Sequence, residues 1–82
     1  MEFRYHNGQD RLRTFILEPW AEEYEVPPGS DLRVKIRYGH PGTLESDDAH
    51  EYFTIWLWSG CQAEVEVDGR VVSSAATEIK SP

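Results

Sequence analysis

Apolar and polar residues alternate with a period of two along several stretches of the chain, which predicts strands with one buried and one solvated face. The cleanest pattern covers residues 32–38, where Leu32, Val34, Ile36 and Tyr38 alternate with Arg33, Lys35 and Arg37. Residues 2–6 set Phe3 and Tyr5 against Glu2, Arg4 and His6, and Asn7-Gly8 follows at once. Because Asn and Gly tolerate the positive φ of a type I′ turn, a hairpin is expected there, with its return strand over residues 11–17 and Pro19 as its stop. Phe15, Ile16 and Leu17 are consecutive, so that return strand is expected to be covered on both faces near its end. Residues 62–67 alternate Ala63, Val65 and Val67 with Gln62, Glu64 and Glu66, and Asp68-Gly69 predicts a second type I′ hairpin into residues 70–74.

The longest uncharged run of aromatic and β-branched residues is Tyr52-Phe53-Thr54-Ile55-Trp56-Leu57-Trp58, and it predicts the central strand, over about residues 50–58. Between these stretches the chain is rich in turn residues. Residues 20–30 carry Glu22, Glu23 and Glu25 and end in Pro27-Pro28-Gly29, and are expected to be mostly loop. A short helical turn over residues 19–24 is compatible with Pro19 at a first helical position and acids behind it. Gly39-His40-Pro41-Gly42 breaks the chain again, and Ser46-Asp47-Asp48 continues an acidic connection with room for a brief strand at residues 43–45. The sum is an all-β domain of about six strands with two type I′ hairpins. It is a small antiparallel sandwich or barrel over residues 1–82, with residues 75–82 as a flexible tail.

The turn after the central strand sets which aromatic residues face the core. A two-residue loop at Ser59-Gly60 would place Trp56 and Trp58 on the Val65 face. A three-residue loop at Trp58-Ser59-Gly60 would instead align Phe53, Ile55 and Leu57 with Val65, Ala63 and Cys61. The second register is preferred, since it puts glycine at the left-handed position and gathers the aliphatic residues on one face. Tyr52, Thr54 and Trp56 would then share the other face with Gln62, Glu64 and Glu66.

Charge narrows the partners. The net charge of −7 opposes phosphate or anionic lipid, so neither nucleic acid nor a membrane surface is expected, and a basic protein partner or a homodimer is easier. The single cysteine, Cys61, excludes an intramolecular disulfide, and the first residues lack a charged-then-apolar leader, from which a cytoplasmic location is expected. No apolar run approaches the roughly 18–20 residues that span a bilayer.

Candidate chemistry adds little to this picture. His6, His40, His50 and Cys61 show none of the compact spacings of a metal site, and Cys61 beside Gly60 reads as a small apolar packing group. Glu45, Asp47, Asp48 and Glu51 form an acidic cluster without the alternate-ligand loop of a calcium site. Glycine-rich phosphate motifs are absent. No cofactor, metal or catalytic residue is therefore expected.

The stretch Leu17-Glu18-Pro19-Trp20, followed by Tyr24 and Pro27-Pro28-Gly29-Ser30 ahead of an alternating strand, resembles a pattern in short, uncharacterised bacterial proteins. The resemblance implies a bacterial source and a shared β scaffold. From the residues themselves, Trp20 and Tyr24 are expected to close one end of the domain while Pro28-Gly29 turns the chain into the Leu32 strand.

The function that fits is a small acidic, non-enzymatic protein-interaction module, such as an inhibitor, an immunity-type partner or a complex subunit. Its expected face is built from Tyr52, Trp56, Glu64 and Glu66, because Tyr and Trp are favoured contact residues. Against this stands a purely structural account, in which a second sheet or the 20–24 loop covers the aromatics while Arg33, Lys35 and Arg37 pair with Glu64 and Glu66 across strands. A carbohydrate or small-ligand binder would use Trp56, Tyr52 or Trp20 as stacking platforms. A cupin-like metal enzyme would need His and Glu ligands converging inside a barrel, which the spacing does not supply.

Overall fold

A computed structural model describes residues 1–49 and 51–73. The described residues form eight strands and no helix: β1 (Glu2–His6), β2 (Arg13–Glu18), β3 (Glu22–Val26), β4 (Asp31–Arg37), β5 (Glu45–Asp48), β6 (Tyr52–Trp56), β7 (Gln62–Val67) and β8 (Arg70–Val71). They make two four-stranded sheets, ordered β1-β4-β7-β8 and β3-β2-β6-β5. All neighbours are antiparallel except β2 and β6, which run parallel with Phe15 opposite Phe53 and Leu17 opposite Ile55.

Alternation decides what lies between the sheets. Leu32, Val34, Ile36 and Val65 from one sheet meet Phe15, Leu17, Val26, Phe53 and Ile55 from the other, and all are buried. Phe3 stacks on Phe15 at 6.3 Å and Tyr5 tilts against Phe53 at 4.4 Å, so β1 lies across β2 and β6 and closes that side of the core. Trp20 and Tyr24 pack partly buried against the same core. The predicted alternation of residues 32–38 appears as β4, and Asp68 (φ 52°) with Gly69 (φ 80°) makes the expected left-handed pair in the β7–β8 turn.

The Asn7-Gly8 hairpin does not form. β1 pairs with β4, with Phe3 opposite Val34, and β2 belongs to the other sheet. Neither Asn7 nor Gly8 has the positive φ that a type I′ turn requires. Asn7 is instead fully buried: its amide nitrogen donates to the carbonyls of Arg11 (2.9 Å) and Val26 (2.8 Å), and its side-chain oxygen accepts from the Gln9 amide. Its own backbone bonds Ser30 and Gly29 in the Pro27–Ser30 turn, where Gly29 has φ 80°. One side chain thus clamps the β1–β2 crossover to the β3–β4 turn.

Two acidic segments are strands rather than loops. The helical turn allowed over residues 19–24 is excluded by the ladder of β3 on β2, with Tyr24 opposite Phe15. Tyr24 and Val26 give β3 an inward face, and its charged outward positions suit a sheet edge. β5 is likewise an edge strand, against β6. The β6–β7 hairpin fails because β2 and β5 already occupy both sides of β6. Gly60 does take the predicted left-handed φ (89°), with the Cys61 amide donating to Trp58, but the turn carries the chain from one sheet to the other. The tail expected over residues 75–82 and the candidate His50 lie outside the described residues.

Candidate functional site

The sandwich has two outer faces, and their electrostatics differ. On the β1-β4-β7-β8 sheet, Arg33 stands opposite Glu66 and Lys35 opposite Glu64. Glu66 receives Arg33 at 2.9 Å and Lys35 at 3.0 Å, Glu64 lies 3.8 Å from Lys35, and Glu2 receives Arg4 at 2.6 Å. The pairs of Arg33 and Lys35 with Glu66 and Glu64 are the cross-strand contacts expected from the sequence, whereas Arg4–Glu2 lies within β1 and Arg37 stands opposite Gln62 instead of an acid. Glu66 is only 5% exposed, and the Lys35 and Arg33 hydrogen bonds hold its carboxyl below the usual carboxylate range.

The outer face of the β3-β2-β6-β5 sheet is different. Its outward positions fall into rows set by the register: Glu25, Thr14 and Tyr52; Glu23, Ile16, Thr54 and Asp47; Glu18, Trp56 and Glu45. None of them is Lys or Arg, and none of the five carboxylates makes an ion pair among the described residues. Tyr52 and Trp56 remain 45% and 38% exposed, while Thr54 between them is buried. Three residues stand between Tyr52 and Trp56, which places their Cα atoms roughly 13 Å apart along the strand. An aromatic strip therefore runs along β6 with carboxylates on both flanks.

The predicted site is accordingly split. Tyr52 and Trp56 lie on β6 and are exposed, whereas Glu64 and Glu66 lie on β7 in the opposite sheet and cannot share their surface. The expected alignment of Phe53, Ile55 and Leu57 with Val65, Ala63 and Cys61 is not formed, because β7 pairs with β4, but the inward facing of the three residues is observed, as their burial shows. The acids beside the aromatics are Glu18 and Glu45, which pair in register with Trp56, and Asp47 one row away. Sequence reasoning missed them because no local signal announces that β2 lies parallel to β6.

Arg13 was also missed, although it holds the edge of this sheet. It is 3% exposed and sits on the inward face with Phe15 and Leu17. One guanidinium nitrogen donates to Asp48 and to the Ala49 carbonyl, both at 2.7 Å, and another donates to the Tyr5 hydroxyl at 3.3 Å. The group lies over the Phe53 ring, 5.4 Å from its centroid, and the Asp48 hydrogen bond raises its pKa against the opposing effect of burial. The period-two continuation Arg13, Phe15, Leu17 was the available signal.

At the end of the sandwich reached by the β6–β7 crossover, the Trp58 indole donates to the His40 carbonyl at 3.0 Å and tilts against Tyr38 at 5.3 Å. Cys61 is fully buried there, and desolvation pushes its thiol up, as expected of a packing group. Among the described residues no group of three His, Cys, Asp or Glu could hold a metal ion, and no helix is long and apolar enough to cross a membrane. Comparison with protein-family models, curated proteins and solved structures gave no match.

Proposed function

We propose that this chain is a small non-enzymatic protein-interaction module that engages a basic partner through the outer face of the β3-β2-β6-β5 sheet, in a cytoplasmic setting. The observation that carries the reading is the exposed Tyr52–Trp56 strip flanked by Glu18, Glu45 and Asp47 with no cation at any outward position. Exposed Trp and Tyr supply rigid contact area, and unneutralised carboxylates steer and orient a cationic surface. On the opposite face Glu64 and Glu66 are paired with Lys35 and Arg33, and Arg37 stands beside Gln62, so that face offers no comparable acidic field.

The test is a tryptophan-fluorescence titration with poly-L-lysine at low and at near-physiological salt. Binding should be salt-sensitive and weakened by Glu45→Lys or Trp56→Ala, while Glu64→Lys on the other sheet leaves it nearly unchanged. Equal loss from Glu45→Lys and Glu64→Lys would mean that net charge alone is sensed, and the face would lose its role. The two solvent-exposed rings also favour a second reading, stacking of an oligosaccharide. Quenching by a panel of neutral oligosaccharides, removed by Trp56→Ala, would establish it in place of the first.

A further inference from the structure

Resting on that reading, we infer that the partner is captured by strand addition: an extended segment with Lys or Arg at alternate positions pairs with the free edge of β5. The Ala49 amide donates to the Tyr52 carbonyl, and with Asp48 opposite Phe53 and Ser46 opposite Ile55 this phase turns the backbone groups of Ser46 and Asp48 away from β6. They face outward at the end of the sheet order, and no described hydrogen bond uses them. All four residues of β5 are exposed. Arg13 fixes the strand from inside through Asp48 and Ala49, so this edge is a held template.

Charge complementarity specifies the occupant. A strand paired to β5 would lie about 4.8 Å away, with alternate side chains on the aromatic face. Its basic residues at i and i+2 would stand beside Glu45 and Asp47, and long cationic side chains could extend over Trp56, which pairs with Glu45. A second copy of this chain is disfavoured, since its β5 would set Glu45, Asp47 and Asp48 against the same acids. The other edges fit less well. β1 presents Arg4 and His6, β8 has two residues, and β3 is separated from Trp56 by β2.

The experiment uses fluorescein-labelled peptides of equal composition, KTKTKTK and KKKKTTT, read by anisotropy against the whole chain. The alternating peptide should bind about tenfold tighter. Its advantage should vanish when alternate backbone amides are N-methylated, a change that keeps every charge but removes edge pairing. Ser46→Pro removes an outward amide while leaving the β6 ladder intact, and should abolish the same advantage. Equal affinity for both peptides, or no effect of N-methylation, would overturn strand addition. Failure of poly-L-lysine to sense Glu45→Lys would instead remove the face itself, so the two ideas fail separately.

Discussion

Arg13 and Asp48 meet at 2.7 Å across the inner rim of the sandwich, one guanidinium almost wholly buried and one carboxylate largely in solvent. The pair is therefore asymmetric. Removing Asp48 leaves a buried cation with only the Ala49 carbonyl and the Tyr5 hydroxyl as hydrogen-bond acceptors, whereas removing Arg13 leaves an acid that water can solvate. Asp48→Ala is expected to cost about 1.5–3 kcal/mol. Arg13→Met, which keeps most of the apolar stem, is expected to cost less. Urea unfolding of the two variants ranks them, and the reverse order would contradict the asymmetry.

Gly42 is matched to Trp58. A Cβ at Gly42 would overlap the Trp58 indole ring, so even alanine forces the ring off its seat and strains its bond to the His40 carbonyl. Gly42→Ala should lower stability by about 1–3 kcal/mol, within the range for overpacking. A fall in the thermal midpoint and an altered near-ultraviolet tryptophan signal are the expected readouts.

Glu66 makes stability depend on acid. Its folded carboxyl titrates below its unfolded value through Lys35 and Arg33, so its contribution is present above the ordinary glutamate pKa of about 4.3 and is lost as pH falls through the lower folded value. Glu66→Gln should be less stable than the parent at neutral pH, and the difference should narrow as pH falls below about 4. Denaturant midpoints from pH 7 to pH 2 test this, and curves that stay parallel throughout would exclude it.

Asn7 shows why some of the fold was legible in the sequence and some was not. Alternation identified the strands β1, β4 and β7, and the uncharged aromatic and β-branched run identified β6, because both are local properties of a strand. Pairing is not local. Asn7-Gly8 and Ser59-Gly60 carry the residue types of hairpin turns, yet both lie in connections that cross between sheets. For Asn7 the deciding fact is the burial of its amide on the Arg11 and Val26 carbonyls, contacts up to nineteen residues away. β3 and β5 were hidden by their acids, which an edge strand tolerates. The aromatic half of the candidate face followed from the pattern, and its carboxylates did not, since Glu18 and Glu45 reach Trp56 only through the pairing of β6 with β2 and β5.

The same residue yields a separate test. Asn7→Asp would point a carboxylate at two carbonyl oxygens, replacing donors with a third acceptor in a buried site. It should destabilise more than Asn7→Ala, which is expected to cost about 1–3 kcal/mol for the carbonyls left unbonded. Unfolding midpoints for the two variants decide the order.

The parallel contact of β2 with β6 ties residues 13–18 to residues 52–56, and β4, from the other sheet, falls between them in the chain. Neither sheet can be cut out as a contiguous piece, because each is threaded through the other's sequence. The aromatic strip therefore exists only in the completed fold. Peptide fragments spanning β5 and β6 would contain Tyr52 and Trp56 without the β2 strand that places Glu18 beside them, and a nick in either crossover would disable recognition and folding together.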